Sequence, residues 1–212
     1  SRPAASYQAR QYCTVFLNIS KEESMTAFTT EKIDVEPWFD MELFMGVSQE
    51  TRLGGDVMDR FMTLWKNWLP HLTVKGIDTG KIKYLLVALD ESVEQDVDKA
   101  WEGSPSNAFL YNALAQTMCM AAVHAVIPEV QDAGCAPAPK PTATLREALE
   151  AEGIPYSNDK DPILSRRYAV VTHYPFKGGC EICVLQSNCP KGQGQMEATS
   201  VVLPGYEHPQ QM

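Results

Sequence analysis

Apolar residues along the chain recur with two periods, and a few Gly and Pro breaks separate the stretches. In residues 11–19, Tyr12, Cys13, Val15, Phe16, Leu17 and Ile19 place apolar groups at both parities, the pattern of a strand covered on both faces. A polar turn at Lys21-Glu22-Glu23-Ser24 follows. Residues 25–35 read as a second strand through Phe28, Ile33 and Val35, so an N-terminal β-hairpin is expected. Residues 36–45 are dense in aromatics and methionines and read as core.

Gly54-Gly55 opens the first clear helical pattern, with Asp56 as the expected cap. Val57, Phe61, Leu64, Trp65 and Trp68 then share one face, and Pro70 stops the helix. Trp65 is expected in the core and Trp68 at its rim. The short apolar run 82–89 is rich in Leu and Ala and passes into acidic residues without a turn signal, which favours a helix. The acids at 90–98 read as a solvated face. A long helix is predicted from Asn107 to about Val130, capped by Ser106, apolar nearly all round and kinked or ended by Pro128. Asn112, Gln116, Thr117 and His124 interrupt its apolar run, so it reads as a buried helix and no membrane span is expected.

Residues 135–143 form a Pro/Ala stretch that favours extended polyproline II geometry. It divides the chain into a mainly helical body with N-terminal strands (1–134), a linker (135–143) and a C-terminal section (144–212). The fold class expected is therefore α+β: a helical central body, an N-terminal β-hairpin and a small Cys-rich C-terminal section. Within that section, residues 144–153 read as a short helix and 168–174 as a strand. Residues 199–203 offer a last strand.

Chemistry concentrates just after the 168–174 strand. Cys180, Cys183 and Cys189 form C-x2-C-x5-C, followed at once by Pro190 and flanked by Gly178, Gly179 and Gly192. Two residues between cysteines make a turn tight enough for both sulfurs to converge on one metal centre, and a third thiolate closes most of the site. The glycines are expected to supply positive φ on both sides of the turn. Cys135, directly after Gly134 and outside the helical pattern, is the best candidate for a fourth ligand, and His173 the second. Cys119 and His124 on the long helix, Cys13 in the first strand and His71 after Pro70 read as ordinary packing or surface residues.

Two cofactors fit this pattern. One is an iron–sulfur cluster, [4Fe–4S], in a redox subunit or accessory protein that works with a protein partner or larger redox complex. The other is a structural zinc ion, with the protein acting as an interaction or scaffold subunit. A metal-free helical scaffold with a reducible cysteine turn is a third reading. The cysteine spacing also resembles the C-terminal triplet of the iron–sulfur nucleases related to RecB, and that resemblance implies a fourth cysteine far upstream. Their Asp followed by Glu-x-Lys is not matched: Lys32-Ile33-Asp34 is followed by no Glu-x-Lys, so no catalytic residue carries over.

Composition narrows the classes further. An apolar share of 44% and a charged share of 21% over 212 residues describe an ordinary folded protein. The net charge of -9 argues against binding a nucleic-acid backbone. Phosphate-binding Gly loops, dinucleotide fingerprints, nucleophile elbows and H-E-x-x-H are all missing, so no reaction class is assigned. Free thiols clustered at ligand spacing suggest a reducing compartment such as the cytoplasm.

Overall fold

The run that the composition favours as a helix is a strand. Residues Lys83–Leu89 (β3) pair on one side with Leu72–Asp78 (β2) and on the other with Ala169–His173 (β4), both antiparallel. Leu85, Val87 and Leu89 face one layer of the protein and Tyr84, Leu86 and Ala88 the other, and all six are essentially inaccessible to solvent. A segment covered on both faces reads as a continuous apolar run, which hides the period of two that would identify it as a strand. With Thr29–Lys32 (β1), the described residues form a four-stranded sheet in the order β1-β2-β3-β4.

The computed structural model describes residues 27–157 and 162–194. The α+β class is borne out, and β1 corresponds to the second arm of the expected hairpin, paired here with β2. The first arm at 11–19 and the strand expected at 199–203 lie outside the described residues.

One face of the sheet carries the larger core. Met41–Ser48 (α1), Gly55–Trp68 (α2), Glu91–Gly103 (α3) and Pro105–Val126 (α4) pack there, joining Phe44, Phe61, Trp65, Val93, Val97, Leu114 and Met118 to the sheet residues Val74, Leu85 and Val87. Phe39, Phe44, Phe61, Trp65, Trp68 and Tyr111 form a chain of tilted and edge-to-face ring contacts with centroids 5.0–6.4 Å apart. Offset geometry of this kind adds to simple burial. Trp68, expected at the rim, is 1% exposed because its indole N–H finds a charged acceptor, Asp96, at 3.0 Å. That partner removes the cost of burying the polar end of the ring.

Helix α4 is long and apolar enough to cross a membrane by length and composition. In this fold it is the central helix, with twelve buried residues facing neighbours around most of its circumference. Its cap is Ser104, two residues before the expected one, with Pro105 in the first turn where its missing N–H costs nothing. The helix ends at Val126, just before Pro128, and a short helix Glu129–Ala133 (α5) follows. The opposite face of the sheet is covered by Ala143–Ala151 (α6), whose Leu145, Ala148 and Leu149 meet Ile77, Tyr84, Leu86 and Val171. Lys75 on that face pairs with Glu152 beyond α6.

Leu85→Ala and Leu86→Ala empty opposite faces of one strand, and each is expected to cost about 2–5 kcal/mol. Lys83→Ala at the exposed strand end is expected to stay within about 0.5 kcal/mol of wild type. Urea unfolding midpoints check all three. A near-neutral Leu86→Ala would show that the α6 side of β3 is not packed core.

Candidate metal centre

Two chain segments distant in sequence build the candidate site. The first leaves α5 through Gly134, which takes the left-handed conformation at φ 63° that ends helices and favours glycine. Cys135 follows at once, and the chain then runs past the outer edge of β4. Thr172, fully buried in β4, donates its hydroxyl to Pro137 O at 2.9 Å. Ala136, Pro137, Ala138 and Pro139 are buried, so this Pro/Ala stretch packs as part of the protein interior.

The second segment is the cysteine turn. It begins after β4 and is built from two single-turn 3₁₀ helices, Cys180–Ile182 and Gln186–Asn188. The N–H of Cys183 donates to Cys180 O at 3.2 Å, Gln186 N–H to Cys183 O at 3.2 Å, and Cys189 N–H to Gln186 O at 3.4 Å. Tight i→i+3 turns of this type bring side chains three apart onto one side. The expected positive φ is found at Gly178, at 127°, but Gly179 has φ -98°. Gly192 is needed for a different reason: a Cβ there would lie 2.7 Å from Gln186 O and 3.1 Å from Gln186 Cα, so only hydrogen fits where the turn closes on itself.

The two segments are tied together by polar contacts. Val184 N–H donates to Ala138 O at 3.0 Å. The Lys191 ammonium donates to Ala133 O at 3.1 Å and Gly134 O at 2.9 Å, the carbonyls at the C-terminal end of α5 immediately before Cys135. A cation there meets carbonyls left without helix partners and the negative end of the helix dipole. As a result Cys135, Cys180, Cys183 and Cys189 line one pocket, together with Pro137, Gly179, Gln186 and Gly192. All four thiols are free and partly buried. Burial pushes the Cys135 thiol up to about 11. The Lys191 charge opposes that shift, and the other three cysteines add to it because they stand close enough to repel a fourth thiolate. Among the described residues, no group of three His, Cys, Asp or Glu is arranged to hold a single metal ion.

The other histidine and cysteine candidates lie elsewhere. His173 is not part of this pocket. Its ring packs against Tyr84 with centroids 5.5 Å apart, and its buried Nδ1 has no hydrogen-bond partner among the described residues. Burial, then the nearby Lys177 charge, lower its pKa, so the ring is neutral at pH 7. Cys119 is core: its thiol donates to Tyr168 O at 3.5 Å, and burial raises its pKa to about 12. His71 sits beside the start of α3, with Nδ1 2.7 Å from Asp90 Oδ2 and 3.1 Å from Ser92 Oγ. Both partners meet the same ring nitrogen, so no Ser-His-Asp relay can form there, because a relay needs the serine and the acid on opposite nitrogens. Sequence reasoning missed Lys191 and Thr172. A lysine directly after Cys-Pro was the available sign of the first, and nothing in sequence marks the second.

The chain matches no family model, and no curated protein or solved structure matches it significantly.

Lys191→Met removes two charge-assisted hydrogen bonds, worth roughly 1–3 kcal/mol each, from the junction of the two segments. The thiolate-specific rate of Cys135 modification by a thiol reagent, read by peptide mass mapping of the metal-free protein, is expected to increase in this variant and in Gly192→Ala. That rate is taken from a pH profile, because Lys191→Met also loses a charge that opposes the rise of the Cys135 pKa. Cys119 should stay unmodified at pH 7 in all three proteins: a thiol with a pKa near 12 remains protonated and unreactive until the protein unfolds. Equal Cys135 rates in wild type and Lys191→Met would show that the lysine does not hold the junction.

Proposed function

We propose that this chain binds a [4Fe–4S] cluster through Cys135, Cys180, Cys183 and Cys189 and serves as a redox subunit or accessory protein. The observation that carries the reading is the arrival of Cys135, from the other side of α6 and β4 in the chain, in the pocket of the C-x2-C-x5-C turn. An upstream fourth cysteine is also what the resemblance to the RecB-related iron–sulfur nucleases implies.

The donor set favours a cluster over one zinc ion. A zinc ion requires four ligands within about 2.0–2.3 Å of a single point. A cuboidal cluster takes one thiolate at each of four separate irons, so its sulfurs surround a larger volume without any three meeting at one ion. Four cysteines that line one pocket, with only Cys180 and Cys183 in a C-x2-C pair, fit the second description. The Lys191 ammonium beside Cys135 would tune the potential of such a cluster through its charge. Ile182 and Val184 flank Cys183 and are exposed. They offer an apolar rim on which a protein redox partner would dock, in a reducing compartment such as the cytoplasm.

Anaerobic purification followed by a visible spectrum and iron, sulfide and zinc analysis tests the reading. Wild type is expected to show a broad absorbance near 400 nm with about four irons per chain. Cys135→Ser is expected to lose most of its iron, while His173→Ala keeps it. A colourless protein with a single zinc would overturn the cluster reading in favour of structural zinc. Iron that is indifferent to Cys135 would remove that cysteine from the ligand set.

A further inference from the structure

A second cavity lies on the other side of the same chain segment. In an extended stretch successive side chains point opposite ways. Cys135 and Pro137 line the cysteine pocket, while Ala136 and Ala138 line a separate cavity of about 210 Å³ with Ile163, Leu164, Ala169 and Arg166. Residues 135–138 are thus a one-chain-thick wall between the two. We propose that this second cavity binds a small carboxylate with an apolar body.

The class of ligand follows from the lining. The walls are alanine and branched aliphatic side chains, which select an apolar body. At about 210 Å³ the space is below the roughly 300–1,000 Å³ of drug-sized sites, so the body is no larger than a single ring or short chain.

Charge enters through Arg166. Its neighbour Arg167 is engaged by Asp98 through two bonds of 2.7 and 3.3 Å, and the Arg167 N–H donates to Glu94 at 2.8 Å. Among the described residues Arg166 meets one carboxylate, that same Glu94, at 3.9 Å, and its side chain is one-quarter exposed, a weak engagement of a guanidinium fork suited to a bidentate acceptor.

The edge of β4 supplies further polar groups. Tyr168 and Tyr174 hydrogen-bond toward β3, so the alternation of an antiparallel ladder turns the main-chain groups of Ala169 and Val171 outward, on the side where the cavity lies. The Thr172–Pro137 bond closes the gap just beyond Val171, leaving too little free edge for a peptide strand to add.

Binding at this cavity is independent of the cysteine pocket. Its coupling to a redox centre across the 135–138 wall rests on the cluster reading above. Titration with benzoate and with benzyl alcohol, followed by NMR shifts on the full chain, decides the proposal. Iron is assayed on the same samples. Benzoate is expected to saturate below about 10 mM and to bind at least about tenfold more tightly than the alcohol. Arg166→Met should weaken benzoate by about tenfold and leave the alcohol unchanged, while Arg166→Lys retains most of the preference for the anion. Ala138→Leu, which fills the cavity, should weaken both ligands. Absence of saturation, equal binding of the two ligands, or benzoate binding indifferent to Arg166→Met would each overturn the carboxylate site. An iron-free protein that binds benzoate through Arg166 would refute the cluster and leave this site standing. With iron present, bound benzoate should perturb the visible spectrum, and that perturbation should disappear in Ala138→Leu.

Discussion

The antiparallel pairing of β4 with β3 is the contact on which the rest of the C-terminal part depends. Among the described residues of that part, the five of Ala169–His173 join the sheet. Each of them is matched to a buried β3 residue, and these alternate between the two cores, so the register is fixed by both at once. A slip by one residue would move Val170 and Thr172 to the α6 side and reverse Val171, which makes the alternative registers costly. The pairing is reinforced just before the strand. There Tyr168 accepts from Leu89 N–H and from the Cys119 thiol, its hydroxyl donates to Asn112, and Arg167 holds Asp98. Strand β4 therefore reaches the cysteine turn with its direction and height already set.

Thr172 passes that precision on to the upstream cysteine. Its hydroxyl is the buried donor that Pro137 O needs, since a proline-rich segment cannot pair by a regular ladder. Val184 N–H and the Lys191 ammonium repeat the same service for Ala138, Ala133 and Gly134. Three donors from the C-terminal section thus satisfy four carbonyls, those of Ala133, Gly134, Pro137 and Ala138. A composition that alone favours a loose extended connection is held as a wall. Cys135 owes its place beside the other cysteines to these bonds and not to any local preference of its own.

This division explains what could be read from sequence and what could not. The C-x2-C-x5-C turn was legible because its geometry is local: spacing and glycines bring three side chains together without help from the rest of the fold. Cys135 was legible only by elimination, as a cysteine outside any apolar face. Its partner Lys191 was not, because the carbonyls it meets belong to a helix end more than fifty residues earlier in the chain. The helices α2, α4 and α6 were clear from period and breakers, with caps displaced by one or two residues, as at Ser104. Strand β3 is illegible for the reason that makes it central: double burial erases alternation, and Leu and Ala then argue for a helix. The burial of Trp68 is equally hidden, because sequence does not show that Asp96 accepts its indole N–H.

The same wall also limits how the two cavities can act on each other. An extended segment buried on both sides has little room to move one residue without moving the next, since alternate side chains are anchored in opposite pockets. A shift of Ala136 or Ala138 toward a ligand would displace Cys135 or Pro137 by a comparable amount, and the bonds from Thr172, Val184 and Lys191 confine that motion to the stretch between them. A displacement of the wall would therefore reach Cys135 before Cys180, Cys183 or Cys189, whose turn is closed by its own hydrogen bonds. Of the four thiols, the upstream one is carried by the segment that the two cavities share, and the other three are not.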